Sequence, residues 1–165
     1  MLFAMISRVL EANVMLESKP MKVTIVSDLL CYGPAPEPGD EIAQRITINS
    51  KGQVWFSAKT VGDSFPWNEV PLRKEQTRIN IDIAIDILNQ IDTYFRSNSV
   101  RCFATDVGNW ELELTLEDGN VIQESGSMYC CSELNEISNI IRSALPDLGV
   151  IAFGEDYCDD DDQGN

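Results

Sequence analysis

The chain is expected to fold as an α+β protein, with an antiparallel sheet built from hairpins and two amphipathic helices packed on one face. Three observations predict this class. Turn-forming residues join short alternating segments at Asn49-Ser50-Lys51-Gly52 and at Glu117-Asp118-Gly119-Asn120. Two stretches repeat apolar residues every three or four positions, the period of a helix with one buried side. The resulting order is strands, helix, strands, helix, short strand. Tight hairpins make such a sheet antiparallel rather than doubly wound.

At 165 residues, one domain is expected. Residues 1–20 read as an N-terminal extension with Leu2, Met5, Ile6, Val9 and Leu10 at helical spacing. The domain proper is placed at 21–154. Residues 155–165 read as a disordered acidic tail containing the charge run Asp159 to Asp162.

Within the domain, Val23-Thr24-Ile25-Val26 is β-branched throughout and predicts the first strand. Gly33 to Gly39 carries three prolines and predicts a loop. Ile46-Thr47-Ile48-Asn49 and Val54-Trp55-Phe56-Ser57-Ala58 flank the first turn as a hairpin. Residues 62–71 read as a second loop, with Phe65 and Trp67 as candidate apolar anchors. Arg73, Lys74 and Arg78 suit a charged edge strand that blocks unwanted pairing.

Ile81, Ala84, Ile85, Leu88, Ile91 and Phe95 give the clearest helical stripe, with Asn80 as its cap. Arg101 to Thr105 reads as a strand. Trp110-Glu111-Leu112-Glu113-Leu114-Thr115-Leu116 alternates strictly, with Trp110, Leu112, Leu114 and Leu116 inward and Glu111 and Glu113 outward. Val121 to Ser125 returns from the second turn. Ser132 is the expected cap of the second helix, and its stripe is Leu134, Ile137, Ile140, Ile141 and Leu145. Pro146 stops it. Leu148 to Phe153 is expected as a last short strand.

Charge and composition bear on function. The chain has no histidine, and 27 acidic residues stand against 12 basic ones, for a net charge of −15. The usual neutral-pH proton shuttle and the commonest metal ligand are therefore missing. Bare nucleic acid and anionic membranes are repelled, and basic protein surfaces are attracted. No apolar run approaches the ~20 residues of a membrane span. Cys31, Cys102, Cys130, Cys131 and Cys158 fall in no C-x-x-C spacing, so zinc-ribbon and thioredoxin sites are not expected. Free thiols and a cytoplasmic setting are expected instead. No G-x-S-x-G, G-x-x-x-x-G-K-[ST] or G-x-G-x-x-G is present, so no catalytic residue, cofactor or metal is assigned.

Carboxylates remain as candidates. Asp106, Glu111 and Glu113 could serve a carboxylate-based enzyme or a small-ligand sensor only if they lined a cleft. Strand residues two apart lie about 6.8 Å from each other on one face, close to two base-pair steps of DNA. Glu111, Glu113, Glu117 and Asp118, with Asp82 and Asp86 on the first helix, are thus the candidate partner-binding carboxylates. The expected function is a non-catalytic, acidic protein-binding module. Its partner is a basic protein surface on a nuclease or nucleoprotein complex, as for anti-CRISPR or toxin-immunity inhibitors and DNA mimics. A structural role in a larger assembly, through Phe65 and Trp67, is the other alternative.

Several strings resemble those of a family of small, acidic, uncharacterised bacterial proteins. They are Ile46-Thr47-Ile48-Asn49, Val54-Trp55-Phe56-Ser57, Thr105-Asp106-Val107-Gly108-Asn109-Trp110-Glu111-Leu112, Glu117-Asp118-Gly119 and Ser125-Gly126-Ser127. The resemblance covers about residues 44–154. It implies a bacterial or phage origin and brings no activity with it.

Overall fold

A computed structural model describes residues 18–30, 35–63, 68–97, 107–128 and 131–154. Strands β1 (Pro20–Asp28), β2 (Ala43–Asn49), β3 (Gln53–Val61) and β4 (Glu69–Arg78) precede helix α1 (Ile81–Ser97). Strands β5 (Asn109–Leu116) and β6 (Val121–Ser127) precede helix α2 (Ser132–Ala144). The strands form one six-stranded sheet in the order β4-β3-β2-β1-β5-β6, and every neighbouring pair is antiparallel. The α+β class expected from the hairpins is the one observed.

β1 sits in the middle because its register suits both neighbours. Val23 and Ile25 face the core, opposite Ile48 and Ile46 on one side and Leu114 and Leu112 on the other. The same face takes Val54 and Phe56 from β3, and both helices press their apolar stripes onto it. The sheet's second face carries no described helix.

The turns behave as their residues dictate. Gly52 has φ +74 and Gly119 has φ +86, the left-handed values that glycine adopts without a Cβ clash. Asn80 caps α1, its side-chain oxygen accepting from the Asp82 N–H at 2.7 Å. β4 is the charged edge strand that Arg73, Lys74 and Arg78 suggested. It starts at Glu69, so Glu69 to Pro71 belong to the strand and not to the loop expected over 62–71. Pro71 is tolerated there because β4 is an edge and the register shifts beside it, between Ala58 and Lys59. β1 likewise starts at Pro20, where the Glu117 N–H donates to the Lys19 carbonyl at 2.8 Å.

Four further expectations differ from the structure. Ile81 and Ile85 are exposed, and the buried stripe of α1 is Ala84, Ile87, Leu88, Ile91 and Phe95. At 3.6 residues per turn, Ile87 lies about 60° from the middle of that stripe and Ile85 about 100°. Ile140 is likewise only half-buried beside Ile141 in α2. The N-cap of α2 is Cys131 rather than Ser132, whose hydroxyl donates to the Glu133 carboxylate at 3.0 Å. Leu148 to Phe153 is not a strand. Gly149 and Ala152 both have φ +55, and the segment is fastened by side chains instead of a ladder. Arg73 donates to the Leu148 carbonyl (2.6 Å), Gln44 to the Gly149 carbonyl (3.0 Å) and Ser27 to the Ala152 carbonyl (2.6 Å). Arg142 closes the segment by donating to the Gly154 carbonyl at 2.9 Å. The expected strand at Arg101 to Thr105, the extension before Ser18 and the acidic tail lie outside the described residues.

The corrected stripe makes a direct prediction. Ile87→Ala should cost about 2–5 kcal/mol in chemical denaturation, as for a fully buried aliphatic. Ile85→Ala should cost well under half as much. Equal losses at the two positions would contradict the placement of α1.

Candidate binding face

Alternate side chains of each strand point away from the helices. Register places these outward residues in rows across the sheet. One row runs Gln76, Trp55, Thr47, Thr24, Glu113, Gln123 from β4 to β6. The next runs Lys74, Ser57, Arg45, Val26, Glu111, Ser125. The charges on this face, which no described helix covers, are partly segregated. Lys22, Arg45, Lys59, Lys74 and Arg78 stand on β1 to β4, with Asp28 on β1 and Glu69 paired to Lys59 on β4, whereas the described charges of β5 are Glu111 and Glu113 alone.

Glu111 and Glu113 are exposed neighbours on one face, as the alternation of β5 requires. Gln123 donates to the Glu113 carboxylate at 3.1 Å and holds it toward β6. Glu117 and Asp118 extend this acidic end into the β5–β6 turn. Thr115 interrupts the row between Glu113 and Glu117, so two charges, not three, stand consecutively on the strand. The Asp118 carboxyl lies below the usual carboxylate range, first because the Asn120 N–H donates to it at 3.0 Å, then because the Asn120 amide does so at 2.8 Å. A depressed folded value means that this turn is supported above the unfolded pKa and loses support as pH falls through the folded one. Asp118→Asn should therefore abolish an acid-side broadening of the Asn120 amide resonance that wild type shows. An identical acid titration in both proteins would contradict this account.

Asp82 and Asp86 are not part of that face. Both are exposed on α1, in the layer on the other side of the sheet, and Gln90 donates to Asp86 at 2.8 Å. The six candidate carboxylates thus form one group of four and one separate pair. Phe65, Trp67, Asp106 and Asp159 to Asp162 lie outside the described residues.

No protein-family model matches the chain, and no curated protein matches it.

The cationic half of the face was not singled out from sequence. Its centre is a shallow depression of about 410 Å³, lined by Arg45, Thr47, Trp55, Ser57, Lys74 and Gln76, with Phe56 and Glu75 along its floor and rim. Trp55 keeps 37% of its surface exposed. The signal was available, because the Val54-Trp55-Phe56 alternation leaves Trp55 on the side opposite the core, level with Thr47. On the helix side of the same edge, Arg73 stacks over the Phe56 ring at 4.6 Å and donates to Glu41 at 2.6 Å. The Glu41 hydrogen bond holds its guanidinium above the usual range. Lys59 is also raised, first by its 2.6 Å hydrogen bond to Glu69.

Other chemistry is sparse among the described residues. No three of their Cys, Asp and Glu side chains are grouped as a metal site. The Cys131 thiol donates to Glu133 at 3.3 Å and lies 3.5 Å from the Tyr94 hydroxyl. The Glu133 carboxyl is lowered, first by its own backbone N–H and then by the Ser132 and Cys131 donors. Glu133 stands in the first turn of α2, where a carboxylate suits the positive end of the helix, and Cys131 makes no side-chain cap hydrogen bond there. No described helix is long and apolar enough to cross a membrane.

Proposed function

We propose that the chain is a non-catalytic protein-binding module that works through the uncovered face of its sheet. One observation carries this: a sheet face without a described helix, on which β5 and the β5–β6 turn present exposed carboxylates and no cation. Glu111, Glu113, Glu117 and Asp118 meet a basic surface on the partner, and the net charge of −15 speeds that encounter. The partner class proposed is a nuclease or nucleoprotein complex in the cytoplasm. The chain occupies its nucleic-acid-binding surface, as an inhibitor of the anti-CRISPR or toxin-immunity kind does. Glu111 and Glu113 offer a short phosphate-like pair at about 6.8 Å. Asp82 and Asp86, on the other layer, take no part. A non-catalytic role is supported by the absence of histidine and by carboxylates that stand on an exposed face rather than in a cleft.

Capture of the partner from the native cell, followed by affinity measurement, tests this. Glu111→Lys/Glu113→Lys should weaken binding at least tenfold, and Asp82→Lys/Asp86→Lys should leave it within about threefold. Raising salt from about 0.15 M to about 1 M shortens the screening length from about 8 Å to about 3 Å and should weaken wild-type binding as well. A partner held equally by all three proteins at both salts would overturn the proposal.

A further inference from the structure

The other half of the same face points to a second, independent site. We propose that the depression on β2 to β4 binds a small organic anion that carries a flat ring. Arg45, Ser57 and Lys74 occupy one row on three adjacent strands. Neighbouring strands lie about 4.8 Å apart, so the two cations flank the Ser57 hydroxyl from either side. Their long side chains can close on one anion above it, with the guanidinium fork and the ammonium as donors. Trp55 lies two residues along β3 from Ser57, about 6.8 Å away and on the same face. Its part-exposed indole offers a stacking surface, and Thr47 and Gln76 flank it in register with polar atoms for a ring's edge.

The state of the cations supports this assignment. Among the described residues only Lys59, Arg73 and Arg96 are in ion pairs, and just one of these, Lys59, stands on this face. Lys59 has Glu69, and Arg73 has Glu41 and Glu75. Arg45 and Lys74, like Lys22 and Arg78, make no ion pair among the described residues, and these two alone share the Ser57 row. Glu75, in register with the buried Phe56, turns its carboxylate to the helix side, where Arg73 holds it at 3.1 Å. The chain's net negative field opposes an arriving anion at long range. Screening confines that field to about 8 Å at physiological salt, so the two nearby cations dominate at contact. The volume of about 410 Å³ suits a ligand of nucleotide size, and the open shape suits millimolar rather than nanomolar affinity. A nucleoside phosphate and an aromatic carboxylate share the required chemistry.

Titration of the full chain with four probes, followed by amide chemical shifts and calorimetry, tests the site. The probes are adenosine monophosphate, indole-3-acetate, inorganic phosphate and adenosine. One or both of the first two should bind with Kd near or below ~1 mM, and phosphate or adenosine alone at least tenfold more weakly. Adenosine monophosphate alone would identify the phosphate source, and indole-3-acetate alone the carboxylate source. Trp55→Thr should reduce the better probe to the affinity of its anionic group alone. Arg45→Gln/Lys74→Gln should weaken it about tenfold or more, whereas Asp82→Asn/Asp86→Asn, on the other layer, should change nothing. If the double variant fails to fold, Lys74→Gln on the exposed edge strand carries the test with a smaller loss. The proposal is overturned if no probe binds below ~10 mM, or if affinity survives loss of the cations. Neither result bears on the acidic strip and its protein partner.

Discussion

Phe153→Ala should destabilise the protein by about 3–5 kcal/mol, the range for deleting a fully buried aromatic. Phe153 is 1% exposed although it belongs to no helix or strand. Its ring meets Trp110 edge-on at 5.2 Å between centroids and Phe95 at 6.2 Å. Its N–H donates to the Ser138 hydroxyl at 3.2 Å, so α2, β5 and α1 all lean on one residue near the end of the domain. For a chain of this size, the loss corresponds to a fall in Tm of roughly 6–20 °C. Leu114→Ala supplies an internal reference from the centre of the sheet. A Phe153→Ala cost below about 1 kcal/mol would mean that the closing segment is an attachment to the core and not part of it.

Gly126→Val should be nearly as damaging for the opposite reason. Gly126 lies opposite Trp110 across β5 and β6. A Cβ built there would stand 2.6 Å from one indole carbon and 2.9 Å from another. The ring cannot retreat freely, because Phe95 and Phe153 pack on it and its Nε1 donates to the Ser127 carbonyl at 3.2 Å. Overpacking of this kind costs typically 1–3 kcal/mol, and the lost indole hydrogen bond adds about 1 kcal/mol more. Gly126→Ala should show a smaller loss in the same direction, with a shift in the Trp110 indole N–H resonance. An unchanged resonance would show that the ring does not rest on that glycine.

How much of this was legible in the sequence depended on whether one period of the chain carried the information. Trp110 to Leu116 announced both its form and its facing, because strict alternation leaves only two faces and only one is apolar. The hairpin turns were legible because Gly52 and Gly119 sit where positive φ is needed. α1 was legible as a helix but not in its exact facing. Ile81, Ile83, Ile85, Ile87 and Ile91 surround it with isoleucine, so hydrophobicity alone does not pick the buried side. Residues 148–153 looked like a strand because Leu148, Val150 and Phe153 are apolar. Their backbone is instead satisfied by Arg73, Gln44, Ser27 and Arg142, partners 9 to 125 residues away that no local pattern reveals.

The candidate site divides the same way. Glu111 and Glu113 were found because they share the alternation of β5. Asp82 and Asp86 were grouped with them on charge alone, and charge carries no information about which layer a residue occupies. Lys74 was legible only as an edge-strand charge and Arg45 not at all, because their nearness to Ser57 is a property of strand register, not of sequence distance.

The place of β1 has a consequence for assembly. The first described strand is flanked by β2 on one side and by β5, some ninety residues later, on the other. During synthesis, β1 to β4 can zip into a meander through local contacts while one edge of β1 stays open until residue 116 has emerged. That open edge is a template for any passing strand. Formation of the β1–β5 pair, with its large loop to close, sets the pace of folding for the nascent chain.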